Sequence, residues 1–126
     1  MDKIVVLIGE DVGSANLQRL QQAQPELEFR LCLDPAAFIA NAADAEIIFS
    51  KQFPPGTLAV ADKLRWVQAG TAGVNHLLVS GLGDGDICLT NARDAHGIPI
   101  AEQILAMMLA FATGLHTLIR AQTAHT

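Results

Sequence analysis

Basic residues are few and scattered: 8 Lys and Arg stand against 13 Asp and Glu in 126 residues, a formal charge of −5. Nucleic-acid binding needs a clustered positive field, and no such cluster exists here, so no nucleic-acid partner is expected. Net charge does not set the sign of one pocket, so a small anion stays possible. There are two cysteines, Cys32 and Cys88. Both lie in apolar runs and read as buried reduced thiols, too few and too far apart for a zinc site. No metal is expected. The longest strongly apolar stretch, Ile104–Ala112, falls far short of the about 20 residues a bilayer needs, so no membrane span is expected. Asp2-Lys3 leads straight into a strand-like segment without a signal peptide's cleavage site, which makes the cytoplasm the default. Two phosphate-binding fingerprints are also missing: no Gly-x-Gly-x-x-Gly and no P-loop Gly-Lys-Ser/Thr occurs.

What is present is globular. Hydrophobic residues make up 51% and charged residues 17%, well outside the range of disordered chains. The length fits one domain, residues 1–126, with no linker or repeat. Strand-like runs at Lys3–Gly9, Glu28–Leu33, Glu46–Ser50, Arg65–Ala69 and Ile87–Asn91 alternate with helix-like segments at Asn16–Gln24, Ala36–Ala43 and Thr57–Asp62. A short helical turn carries Leu77 and Leu78, and a polar turn follows at Gly81–Gly85. Lys3–Gly9 is continuously apolar, as a strand covered on both faces should be. Asp34-Pro35 is a helix start: the carboxylate caps free N–H groups, and Pro loses nothing in the first turn.

This alternation predicts a parallel sheet with right-handed crossovers, and the length suggests the flavodoxin-like doubly wound order 2-1-3-4-5. A long helix should run from Pro99 to about Ala121. Ile100, Ile104, Met107, Met108, Phe111 and Leu115 form its apolar stripe, and Leu105, Leu109 and Ala112 widen it to nearly every face. Such a helix expects burial all round. Either it is a central core helix or it lies between two domains or subunits. Arg120, Gln122 and His125 restore polarity only at its end.

Ligands of open α/β sheets collect beyond the carboxyl ends of the strands. Two connections there stand out. Gly70-Thr71-Ala72-Gly73-Val74 has small residues whose backbone can approach a ligand, and successive N–H groups at a helix start can hold an anion. With no cation in this loop, neutral donors suit a carboxylate better than a polyphosphate. The competing reading is a tight turn that merely needs glycine. The second connection, Asn91 to Pro99, carries Arg93, Asp94 and His96-Gly97 at a helix entrance. His96 can donate or accept at neutral pH, or can be a surface or capping histidine. His76, His116 and His125 have no partner in view. Glu102 fits a first helical turn, where a carboxylate suits the dipole.

The segments Leu64-Arg65-Trp66-Val67-Gln68-Ala69-Gly70-Thr71-Ala72-Gly73-Val74-Asn75, Leu89-Thr90-Asn91-Ala92-Arg93, His96-Gly97 and Ile100-Ala101-Glu102, with the Met107–Phe111 run, resemble the D-isomer-specific 2-hydroxyacid dehydrogenases. The resemblance is sharp over about residues 64–122 and architectural before that. It implies the flavodoxin-like substrate domain of a two-domain oxidoreductase that reduces 2-oxo acids with NAD or NADP. On that likeness, Ala72, Gly73 and Val74 would hold the substrate carboxylate and His96, six before Glu102, would face the substrate. Ile100 would pack near the nicotinamide. Asn75 departs from the Asp that the family often has there.

The family's catalytic arginine, acidic residue and histidine belong to a later region, so no catalytic residue is expected in this chain. The resemblance therefore implies a chain that stops before its Rossmann domain, inactive alone and without bound cofactor. It also implies an apolar groove beside the Ile100–Leu115 helix, covered by a second copy in a homo-oligomer such as a dimer. The rival is a non-catalytic flavodoxin-like binding or oligomerisation module. A receiver domain fits poorly, with Ser50 after strand three and Asn91-Ala92 after strand five; a flavodoxin fits poorly, because Gly9-Glu10-Asp11-Val12-Gly13 would repel a phosphate.

Overall fold

A computed structural model describes residues 3–83 and 85–124. The expectations about Asp2, His125 and the chain end at Thr126, and part of the polar turn at Asp84, lie outside these. The chain divides into two compact units, Met1–Arg93 and Asp94–Thr126.

The first unit is a five-stranded parallel sheet in the order β2-β1-β3-β4-β5. Its strands are β1 (Ile4–Ile8), β2 (Leu27–Leu31), β3 (Ile47–Ser50), β4 (Trp66–Ala69) and β5 (Cys88–Thr90). Helices α1 (Ser14–Ala23), α2 (Pro35–Ala42), α3 (Thr57–Val60) and α4 (Asn75–Leu77) connect them. The predicted order is the observed one. β1 pairs with both β2 and β3, and Val5, Val6, Leu7 and Ile8 are all buried. That is why its sequence is apolar without alternation.

On one face, Val5, Leu7, Ile48, Val67 and Ala69 pack with Phe38 and Ala42 of α2, Leu77 of α4, and Leu64 and Leu82. The other face is thinner. There Val6, Ile8, Phe29, Ile47, Phe49 and Trp66 line an apolar groove of about 340 Å³ that Leu20 of α1 borders. Trp66 remains 39% exposed, held by its indole N–H donating to Thr90 Oγ1 at 2.8 Å. The Thr90 hydroxyl in turn donates to Gln68 Oε1 at 2.7 Å.

Local chemistry explains the element ends. Asp34 accepts from the Ala37 N–H at 2.9 Å, and Pro35 occupies the first turn of α2, as expected. After α4 the chain makes a π-helical turn, Leu78–Leu82, kinked within by Gly81 at φ 98°. Two expectations need correction. Cys88 is exposed and Cys32 only half-buried. β5 is an edge strand, and Cys88 shares the thinly covered face with its register partner Trp66.

The second unit consists of α5 (Gly97–Ala112) and α6 (Leu115–Ala124). The long C-terminal helix is present, but it ends at Ala112 rather than near Ala121. Gly114 adopts φ 70°, its N–H donating to the Phe111 carbonyl at 3.2 Å, a left-handed stop that glycine accepts without steric cost. The two helices meet at a 67° bend. Among the described residues no single helix is long and apolar enough to cross a membrane. The reading of this segment as a central core helix also fails: neither helix has a buried residue. Ile98 is 74% exposed and Phe111 66%.

Candidate functional site

All five strands run parallel, so their carboxyl ends share one rim. The loop after β4, Gly70–Val74, emerges there with its backbone polarity sorted. The Thr71 carbonyl accepts from the Ala92 N–H at 3.0 Å and the Ala72 carbonyl from Asn91 Nδ2 at 2.7 Å. The Gly73 carbonyl accepts from the Thr71 hydroxyl at 2.8 Å, and that of Val74 from the N–H groups of Leu77 and Leu78 at 2.9 and 3.1 Å. Among the described residues, none accepts from the N–H groups of Ala72, Gly73 or Val74. Ala72 and Gly73 are exposed. The loop is thus fixed through its acceptors and keeps its donors for something else.

The glycines separate the two readings of this loop. Neither Gly70 nor Gly73 has a positive φ, so the tight turn does not require glycine conformationally. Gly70 is needed for space: a Cβ there would stand 3.2 Å from Lys51 Cγ and 3.4 Å from Phe49 Cζ. At Gly73 a Cβ would meet nothing within 4 Å. Among the described residues, no neighbour accounts for that glycine. α4 has only three residues and contributes almost no dipole, so any anion rests on the loop amides themselves.

Asn91 and Ala92 bolt the start of the second connection to this loop, as the bonds to Ala72 and Thr71 show. Arg93 is exposed, with its N–H donating to Asn91 Oδ1 at 3.3 Å. His96 belongs to the second unit. It is the residue before α5, makes no side-chain cap, and borders a shallow depression with Pro99, Ile100, Gln103 and Ile104. His96 and Ile100 are therefore neighbours on one exposed surface. Because α5 starts at Gly97, Glu102 stands beyond the first turn, and the dipole account of it fails. Asp94, at φ 68°, makes the preceding turn, and its carbonyl accepts from the Gly97 N–H at 3.3 Å.

Three residues at the rim of the first unit escaped the sequence reading. Glu10, after β1, accepts from the Lys51 N–H at 2.7 Å and pairs with Lys51 Nζ at 3.2 Å. His76 Nε2 lies 2.6 Å from the Lys51 carbonyl, which can only accept, so Nε2 carries the proton. His76 had been expected to lack a partner. His116 also has partners: its ring packs at a 51° tilt against Phe111, centroids 5.0 Å apart, and its Nδ1 lies 3.5 Å from the Ala110 carbonyl. Glu10 and Lys51 are 41 residues apart in sequence, and only the adjacency of β1 and β3 joins them.

No protein-family model and no curated protein matches this sequence. Solved structures do. A phosphoglycerate dehydrogenase from Lactobacillus plantarum is 26% identical, with a TM-score of 0.58 over 97% of this chain. A D-isomer-specific 2-hydroxyacid dehydrogenase family protein from Aeromonas salmonicida subsp. salmonicida A449 is 23% identical, with a TM-score of 0.82 over 99% of this chain. The chain spans 40% and 41% of the length of these two proteins. The fold is similar to that of part of a phosphoglycerate dehydrogenase and part of a D-isomer-specific 2-hydroxyacid dehydrogenase family protein.

Proposed function

We propose that this chain is the substrate-binding part of a D-isomer-specific 2-hydroxyacid dehydrogenase, its Gly70–Val74 loop holding the carboxylate of a 2-oxo or 2-hydroxy acid. The observation that carries this is the sorted polarity of the loop: four carbonyls engaged, and the N–H groups of Ala72, Gly73 and Val74 without an acceptor among the described residues. A carboxylate accepts from several N–H donors at once, and charge-assisted bonds of that kind are stronger than neutral ones. In this reading His96 and Ile100 serve the same reaction from α5, His96 toward the substrate and Ile100 toward the cofactor.

The loop after β1 does not fit the pyrophosphate of NAD or NADP. A dinucleotide's pyrophosphate needs a glycine-rich turn with open amides before a helix. After β1 the chain has Gly9-Glu10-Asp11-Val12-Gly13 instead, and the Gly13 N–H already donates to Asp11 Oδ1 at 2.9 Å. The loop fills its own anion site with its own carboxylate. This loop therefore offers a dinucleotide no open anion site, and the expected outcome is no turnover by this chain alone.

The test is a titration of the whole chain with pyruvate or glyoxylate, followed through backbone amide shifts. The amides of Ala72, Gly73 and Val74 should move first and furthest. Shifts confined to other residues would refute the assignment. Oxidation of NADH or NADPH with either acid by the purified chain would refute the need for further residues.

One observation favours a second reading, an oligomerisation module. Ile98, Ile104, Leu105, Met108, Leu109 and Phe111 of α5 are all more than half exposed. Apolar patches of this extent mark interaction surfaces. In this reading a second copy covers them.

A further inference from the structure

The carboxylate loop has a cation against it that its sequence does not reveal, and that cation is already engaged. The stem of Lys51 lies on Gly70, with Cγ 3.2 Å from where a Cβ would stand. Its ammonium goes to Glu10, 3.2 Å away on the far side of β3 from the loop. Glu10 also accepts from the Lys51 N–H at 2.7 Å, and the Lys51 carbonyl accepts from His76 Nε2–H at 2.6 Å. The backbone of Lys51 is therefore clamped from two sides, so the direction of its side chain is set by the acid it pairs with. The Glu10 side chain is 19% exposed and that of Lys51 59%.

We propose that Glu10 is a specificity residue: it parks the Lys51 ammonium away from the loop and so restricts the loop to singly charged 2-oxo acids. This rests on the carboxylate reading above and adds the substrate class to it. Three neutral amides satisfy one carboxylate. A second anionic group, a phosphate or another carboxylate, needs a cation beside the loop and finds Lys51 neutralised. Arg93, past Asn91, is unchanged by any substitution at Glu10, and its effect cancels when variants are compared.

Glu10→Gln separates charge from structure. Its amide oxygen can still accept from the Lys51 N–H, while the ion pair is lost. The whole chain, its Glu10→Gln variant and the double variant Glu10→Gln with Lys51→Met are each titrated with pyruvate and with 3-phosphoglycerate, reading the amides of residues 72–74. The wild type should prefer pyruvate. Glu10→Gln should tighten 3-phosphoglycerate about fivefold, the scale of one screened charge contact, and leave pyruvate within about twofold. The added Lys51→Met should remove that gain. Pyruvate binding with an unchanged preference in Glu10→Gln overturns the proposal alone. A gain that survives Lys51→Met assigns the effect to another cation and overturns it as well. No movement of these amides with either acid in any of the three chains removes the carboxylate reading and this proposal together.

Discussion

Replacing Gly73 by alanine should stabilise the first unit while weakening its hold on a 2-oxo acid. Gly73 has no positive φ, and a Cβ there would meet no atom within 4 Å. Alanine fits that backbone, and it reduces the freedom of the unfolded chain, a gain of about 0.4–1 kcal/mol. That is about a two- to fivefold rise in the ratio of folded to unfolded chain. The same substitution at Gly9 supplies the contrast. There a Cβ would stand 2.6 Å from Phe38 Cε2 and 2.8 Å from Ser50 Oγ, both in buried side chains. Overpacking of that kind costs about 1–3 kcal/mol. Urea unfolding read by tryptophan fluorescence suits the comparison, because Trp66 is the single tryptophan and sits in β4. Binding is read by titration with pyruvate, where the new methyl group should cost about tenfold, the loss of one charge-assisted contact. A Gly73→Ala variant less stable than the wild type would mean that the backbone or the space at this loop is not as described. One that is more stable and binds pyruvate unchanged would show that no ligand approaches Gly73 closely.

Other perturbations test separate parts of the structure. Asp34→Ala removes the carboxylate that caps α2 through the Ala37 N–H and should cost about 1 kcal/mol in the same urea assay; no change would argue that the cap is not formed. Gly114→Ala forces a side chain into φ 70° and should destabilise the α5–α6 junction by about 1 kcal/mol, seen as lower helicity by circular dichroism. If the exposed face of α5 joins two copies, sedimentation velocity should show association that Met108→Glu or Phe111→Glu weakens by at least tenfold, since a buried unpaired charge is costly. A monomer at every concentration would dismiss the oligomerisation reading.

The sequence made the sheet legible because its signals are local. An unbroken apolar run in Lys3–Gly9 needs two covered faces, which places β1 inside the sheet, and Asp34-Pro35 marks a helix start through chemistry confined to four residues. The Gly70–Val74 loop was visible for the same reason, since its small residues are contiguous. The end of α5 was legible in principle: Gly114 follows an apolar run, the position glycine favours for a left-handed stop, but the apolar pattern on both sides of it read as one helix. Exposure of Cys88 was not legible, because an apolar run says a strand is apolar and not whether a helix lies over it. The Glu10–Lys51–His76 cluster was hidden for a deeper reason. Its members occupy three connections that neighbour one another only through the strand order, and none has a sequence signature of its own.

Backbone amides, if they hold the ligand as proposed, make a site that tolerates change in side chains. At 23–26% identity most side chains have changed relative to the solved dehydrogenases. A site built from arginines or histidines has to keep each of those side chains. A site built from N–H groups asks less: the loop must keep its path, and its residues must be small enough to let a ligand approach. In this chain the path is kept by acceptors, through Asn91 Nδ2, the Ala92 N–H and the Thr71 hydroxyl, and smallness by Ala72 and Gly73. Asn91→Leu should therefore harm binding more than any change at the Ala72 side chain, though Asn91 itself touches no ligand. It removes the donor to the Ala72 carbonyl and frees the loop to turn its amides away. Amide exchange across residues 71–74, with pyruvate affinity measured beside it, checks this; a loop equally protected in Asn91→Leu would show that its path is held by the sheet alone.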